Sequence, residues 1–389
     1  MKTRRELGLV GLALVAAGGF AACGDDSGTG GGGDASGTIT VQISGEDLAT
    51  DGFAFPTGSE VTIADGWEIT FDHVFVTVGR VWLAENPDVS PSDQSQTGEV
   101  VAEVVGPWAV DLAKPGDVPG AGGEGTAVKL FDIDKMNKRG DEPFAADQRY
   151  AFSFSTTGAA ASATKVNFAS DATASAVYDS LAAQGCTVAY VGTATFKGTT
   201  CESSDAAYDF TTIPTTVPFT LCFATPVESI NCQNQENQGD PFPDEEFQRG
   251  IPIKTNQASL AQITVHLDHP FYSDVEHEPV LYFDQYAAQL VGEAAGTELT
   301  LSMLAGLDPT AFTDGAGADL PWRRCDGEAL PSGAQRGFES GSIPVGPGQN
   351  PASGFRDYAD YVSYVQSSQG HLNGGEGICY TKRGYPSPQ

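Results

Sequence analysis

Two histidines flank an aspartate in "ITVHLDHPF", residues 263–271. Alternation along an extended chain sends Ile263, Val265 and Leu267 to one face and Thr264, His266 and Asp268 to the other. An imidazole and a carboxylate about 7 Å apart then point the same way, a spacing that can chelate a transition metal. His269 falls where Pro270 ends the ladder, so its ring can swing to either side. "DVEHEP" follows with Asp274, Glu276 and His277, and "QGHLN" supplies His371. The candidate ligand set for one zinc, copper or iron ion is therefore His266, Asp268, His269, His277 and His371. The plainer reading is one hydrogen-bonded His266–Asp268 pair on a solvated strand face, with His277 on the surface. Chance favours it, because carboxylates surround any histidine in so acidic a chain. The metal site is still the sharpest functional reading these residues offer. No H-E-x-x-H or other fixed metalloenzyme spacing accompanies it.

Other chemistries find less support. "DIDKMNKRGDE", residues 132–142, opens like a calcium loop at Asp132 and Asp134. Its fifth position is Met136, and Lys135, Lys138 and Arg139 oppose a divalent cation, so a polar turn is expected. There is no G-x-S-x-G elbow, and the S-x-x-K at Ser162–Lys165 lacks the K-T-G that would give it meaning. Carboxylate pairs abound, but nothing ranks one pair for glycoside hydrolysis. Trp67, Trp82, Trp108 and Trp322 are open to either a core or a sugar-platform role. The glycine-rich "AKPGDVPGAGGEGTA" lacks the basic residue and following helix of a phosphate cradle and is expected to be a surface loop.

The N-terminus gives an address. Lys2, Arg4 and Arg5 precede an uncharged apolar run over residues 7–22, too short for a comfortable membrane span and ending in small residues, as export signals do. "FAAC" then resembles the lipobox of bacterial lipoproteins, with Phe20 where leucine is usual. The resemblance implies that Cys23 is diacylated and becomes the mature N-terminus. Residues 24–37, "GDDSGTGGGGDASG", form a flexible tether. The implied placement is the cell envelope, lipid-anchored, with Gly24 followed by Asp25 and Asp26 and the outer membrane slightly favoured.

Acidic residues outnumber basic ones 51 to 20, for a net charge of −31, which removal of the signal makes two units more negative. Nucleic acid is excluded as a partner, and an anionic leaflet would repel the body, leaving the lipid as the membrane contact. Beyond Cys23 the cysteines number six: Cys186, Cys201, Cys222, Cys232, Cys325 and Cys379. An even count behind an export signal implies disulfides. Proximity suggests Cys186–Cys201 across a hairpin, Cys222–Cys232 across a loop, and Cys325–Cys379 pinning the C-terminal segment. Without C-x-x-C, thioredoxin-like redox chemistry, a zinc ribbon and c-type haem are all disfavoured.

The elements that must position these residues are mostly short strands. "TITVQISG" alternates, "DGWEITFDHVFVTVGRVWLAENPD" reads as two strands broken near Asp72, and "EVVAEVVGPWAVDL", "RYAFSFSTTG" and "TVPFTLCFA" continue the pattern. "CTVAYVGTATFKGTTC" is a hairpin candidate, "ESINCQNQENQGDPFPDEEFQRG" a loop, and "SLAQITVHLDHPF" a strong strand. "SDATASAVYDSLAAQG" predicts a helix capped by Ser170 or Asp171 and closed by Gly185, with Val177 and Leu181 on one face. "VLYFDQYAAQLVG" is a short-helix candidate. "GFRDYADYVSYVQSSQG" places Tyr358, Tyr361, Val362 and Val365 at helical spacing, a stripe expected in the core.

The expected fold is mainly β, a β-sandwich-like body with a few short helices and a disulfide-stapled C-terminal half. The expected organisation is a signal peptide over 1–22, acylated cysteine and tether over 23–37, a β-sandwich-like domain over 38–165 and a β-rich disulfide-containing domain over 166–389. On "FDHVFVTVGRV" and "AVDL" the first half resembles β-sandwich domains of other bacterial surface lipoproteins. On "RYAFSF", "NCQNQ", "DHPF", "DYADY" and "QGHLN" the chain resembles large uncharacterised lipoproteins of myxobacteria-like Gram-negative bacteria, a resemblance that implies no activity. The functional expectation is a non-enzymatic, lipid-anchored envelope protein that binds a ligand, an envelope protein or a glycan. The His/Asp metal site is its most concrete form. A metal-dependent hydrolase or oxidase using the same cluster, and a purely structural lipoprotein, are the alternatives.

Overall fold

The computed structural model describes residues 37–383, apart from 57–60, 124, 147, 169–171, 238, 240, 241, 243, 244, 256, 274–279, 338–354 and 356. Cys23, the tether up to residue 36 and the "DVEHEP" carboxylates with His277 lie outside the described residues, as do the helix caps Ser170 and Asp171.

The strands are β1 Ile39–Ser44, β2 Trp67–Ala84, β3 Val100–Asp111, β4 Thr126–Ile133, β5 Arg149–Thr156, β6 Val188–Phe196, β7 Thr216–Phe223, β8 Val227–Ile230, β9 Ser259–Val265, β10 Gly370–Leu372 and β11 Tyr380–Arg383, of which β4, β8, β10 and β11 are not among those expected from the sequence. They build two sheets. The smaller runs β10-β9-β1-β4 and is extended by Val118–Pro119; the larger runs β7-β6-β2-β5-β8-β11, with β3 also on β2. Ile263 and Val265 of the small sheet face Val76, Val78 and Phe154 of the large one across a void of about 20 Å³. One continuous apolar core spans both sheets, so the fold is mainly β and sandwich-like. Both sheets contain strands from before and from after residue 165, and the main core cluster draws on both parts of the chain. Among the described residues no helix is long and apolar enough to cross a membrane.

Several local expectations are corrected. The break expected at Asp72 is a bulge: β2 runs unbroken through it, with a register shift against β6 between Phe71 and His73. A bulge absorbs one polar residue without ending the ladder. The stretch read as loop from Glu228 begins as β8, which pairs with β5 and β11. "CTVAYVGTATFKGTTC" is no hairpin. β6 pairs with β2 and β7, and the chain beyond it joins Glu202–Ser203 to Arg323–Arg324 in a separate small pair.

That change rewires the disulfides. The bonds are Cys186–Cys222, Cys201–Cys325 and Cys232–Cys379, not the neighbours-in-sequence pairing. Cys222 stands beside Cys186 because β6 and β7 are antiparallel, and Cys201 meets Cys325 through the small strand pair.

The helices follow their patterns. α1, Glu46–Asp51, begins two residues after β1. α2, Ala172–Ala182, buries Ala174, Tyr178 and Leu181, with Val177 packed at the edge, and is followed by Gly185 at φ +71°. α3, Asp284–Ala287, continues as a 3-10 turn over Ala288–Leu290. α4, Tyr358–Gln366, is capped by Asp357, whose carboxylate accepts from the Asp360 amide at 2.9 Å. Its tyrosine stripe is core: Tyr358 and Tyr361 are fully buried and stacked on each other.

Candidate metal centre

The site forms where three chain segments meet at one end of the small sheet. β1 and β9 run parallel, with Ser44 opposite Thr264, and β10 lies antiparallel on the far side of β9, with His371 opposite Thr264. His266 comes two residues after Thr264, so pairing alone brings it beside His371. Here the expected geometry is corrected. β9 ends at Val265, so His266 and Asp268 do not alternate on a strand face. Pro270 cannot donate to a ladder, and the chain turns into a 3-10 turn over His269–Phe271, while the His266 amide bonds the Gln369 carbonyl at 2.9 Å. The turn folds His269 back toward the other two rings.

The result is a cluster of three imidazoles. One ring nitrogen from each of His266, His269 and His371 lies within 4.8 Å of the others. The His266 and His371 rings stack at 4.4 Å, and His269 stands edge-on to both at 5.5 and 5.9 Å. Metal–nitrogen bonds of about 2.0–2.1 Å put tetrahedral ligand nitrogens roughly 3.3 Å apart, so modest ring rotation closes the set on an ion. His269 and His371 are buried, whereas His266 keeps a fifth of its side chain exposed.

Hydrogen bonding decides what each ring offers. His269 Nδ1 lies 3.2 Å from the Val365 carbonyl and 3.1 Å from Ser368 Oγ. A carbonyl only accepts, so Nδ1 carries the proton and Nε2 keeps its lone pair. His371 differs: neither ring nitrogen has a hydrogen-bond partner among the described residues, although both are buried. Burial pushes the His269 imidazolium down to about 4, helped by His266 and opposed by Asp268. Burial, then His266 and His269, holds His371 well below the usual histidine range. Both rings are neutral at neutral pH, the state a metal requires.

Two carboxylates border the rings. Asp268 Oδ1 is buried, has no hydrogen-bond partner among the described residues, and lies 4.0 Å from His266 Nδ1. Its Oδ2 accepts from the Tyr272 hydroxyl at 3.3 Å. Burial and Asp268 raise the Tyr272 phenol, so it stays a donor. Glu46, at the start of α1, places Oε1 3.2 Å from His266 Nε2. Sequence reasoning missed Glu46 and Tyr272, since nothing in the spacing of "SGEDL" or "PFYS" marks either as a partner of these rings. His277, Asp274 and Glu276 lie outside the described residues.

The other candidates are spoken for. Asp132 lies within β4, where it accepts from Lys129 at 2.7 Å and from Thr40 of β1 at 2.8 Å. Lys165 of the S-x-x-K is paired with Asp179. Trp67, Trp82 and Trp322 are buried, and Trp108 is half-buried against Phe131, so no tryptophan offers a sugar platform. Asp65 and Asp284 form the most buried carboxylate pair, held by Arg323 and Arg336 inside the core rather than in a cleft. Comparison with protein-family models, curated proteins and solved structures finds no match to this chain.

Proposed function

We propose that this chain is a lipid-anchored protein of the bacterial cell envelope whose β-rich body binds one transition-metal ion at His266, His269 and His371. The observation that carries the metal reading is His371, because a buried polar group almost always has a partner. Here two ring nitrogens have none among the described residues and lie beside two other imidazoles. An all-imidazole set with a nearby carboxylate suits zinc, copper or iron, and lacks the oxygen ligands calcium and magnesium demand. Asp268 is the natural fourth ligand. A second reading, a metal-dependent envelope hydrolase or oxidase, is favoured by the partial exposure on the His266 side. Three protein ligands leave a position open there for water, with Asp268 as its base.

The lipid anchor rests on "FAAC" and the tether behind it. The test is elemental analysis of the full chain extracted from envelopes in detergent. About one equivalent of zinc, copper or iron is expected, lost in His266→Ala and His371→Ala. Absence of metal after titration with all three ions refutes the metal reading. Labelled palmitate should enter the wild-type chain and not Cys23→Ser.

A further inference from the structure

We propose that Glu46 is the outer carboxylate that orients His266, so that the ion binds His266 through Nδ1, on the side of Asp268. The inference rests on the metal reading above and adds a positioning residue more than two hundred positions away in the chain.

Three observations on Glu46 and its surroundings converge. The first is distance: Glu46 Oε1 and His266 Nε2 are at an ion-pair distance of 3.2 Å, while His266 Nδ1 lies 4.0 Å from Asp268 Oδ1, which has no hydrogen-bond partner among the described residues. A carboxylate at one ring nitrogen favours the proton there, which leaves the lone pair on the other. The second is space. A Cβ built on Gly375 would fall 2.2 Å from His266 Nε2 and 3.2 Å from Glu46 Oε1. The Gly375 backbone therefore crowds the Nε2 edge, which disfavours an ion on that side of the ring. The third is backbone strain. Glu46 has φ +57°, the left-handed region that glycine adopts freely and other residues avoid. A glycine would serve the turn from β1 into α1 with less strain, so the side chain is kept against the conformational preference.

With this assignment every ring has an outer tether or is enclosed. His269 Nδ1 bonds the Val365 carbonyl, His266 Nε2 meets Glu46, and Asp268 Oδ2 takes the Tyr272 hydroxyl. Metal ligands commonly show such supports, and loss of one typically costs 10–100-fold in affinity. The donor set is then three imidazoles and one carboxylate.

The experiment compares Glu46→Gly, Glu46→Gln and Asp47→Ala with the wild-type full chain. Zinc affinity is measured by competition with a chromophoric chelator, the cobalt(II) d–d spectrum is recorded, and Tm is taken in EDTA. Glu46→Gly should weaken zinc about 10–100-fold and shift the cobalt bands, with a metal-free Tm equal to or above wild type. Glu46→Gln, which keeps an oxygen acceptor, should recover part of the affinity, and Asp47→Ala should match wild type. Wild-type affinity and spectrum in Glu46→Gly overturn the proposal. Loss of one oxygen donor from the cobalt coordination count in Glu46→Gly also overturns it, by making Glu46 a ligand. If the wild-type chain binds no metal, the metal reading itself fails and this one with it. If His371→Ala abolishes binding while Glu46→Gly does not weaken it, only this one fails.

Discussion

Replacing His371 with leucine should raise the stability of the metal-free protein, which is the reverse of what a buried histidine usually does when removed. Both ring nitrogens of His371 are buried without hydrogen-bond partners among the described residues, and each such group costs about 1–3 kcal/mol when left unmade. Leucine has a similar volume and no polar atom, so His371→Leu should gain about 1–3 kcal/mol in EDTA, less whatever β10 loses in fit. His269→Leu is the internal control. It gives up the Nδ1 bonds to Val365 and Ser368 and should lose about 0.5–1.5 kcal/mol. Zinc at 100 times its Kd adds about 2.7 kcal/mol to the wild type and nothing to either variant, roughly 4 °C in Tm for a body of this size. The order of stability in EDTA is then His371→Leu, wild type, His269→Leu, and the gap above the wild type narrows or inverts with zinc. Urea unfolding in both conditions reads this directly. If His371→Leu is destabilised in EDTA as much as His269→Leu, the His371 nitrogens have partners in solution and the argument for the site collapses.

Two further expectations follow from the core. Burial, then Asp284, pushes Asp65 up to about 6 from an unfolded value near 3.8, against the pull of Arg336. The folded state therefore holds a proton the unfolded state has released. Stability from this group is full below pH 3.8 and is lost as pH rises through 6. Between those limits the wild type should fall relative to Asp65→Asn by up to about 1.4 kcal/mol per pH unit, and parallel curves in urea titrations across that range would refute it. Peptide mapping without reduction should recover Cys186–Cys222, Cys201–Cys325 and Cys232–Cys379. The double substitution Cys232→Ser, Cys379→Ser should cost about 2–5 kcal/mol and weaken zinc more than loss of Cys186–Cys222. Cys379 follows Ile378, the residue bridged to His371, and equal zinc affinity in the two variants would contradict that coupling.

Local patterns were readable in the sequence because they depend on neighbours along the chain. The alternation of β1 and the apolar stripe of α4 reappear in the fold at the places the residues suggest. Asp72 shows where a local reading fails: a charge inside an apolar run looks like an end, but β2 absorbs it as a bulge against β6. The cysteines fail for a different reason. Nearness in sequence is a fair guide only if the intervening chain returns on itself, and after β6 it instead crosses to pair with Arg323–Arg324. His266 and His269 share a nine-residue segment, which made them visible together, yet their geometry comes from Pro270 and the 3-10 turn rather than from strand alternation.

The remaining parts of the site come from pairings the sequence does not announce. His371 reaches His266 because β10 adds to the free edge of β9, and Glu46 reaches it from the opposite edge because β1 runs parallel to β9. Parallel strands need a long connection between them, so the two residues that flank His266 are drawn from near the start and near the end of the body. The same topology explains why the chain cannot be cut near residue 165 without losing the cluster. A fragment starting at residue 166 keeps all three histidines but lacks β1, Glu46 and β2, and with them the core on which β9 packs. An ion held at that junction would join the end of β9 to β10, across about a hundred residues of chain, and its binding energy would be felt as stability of the folded state.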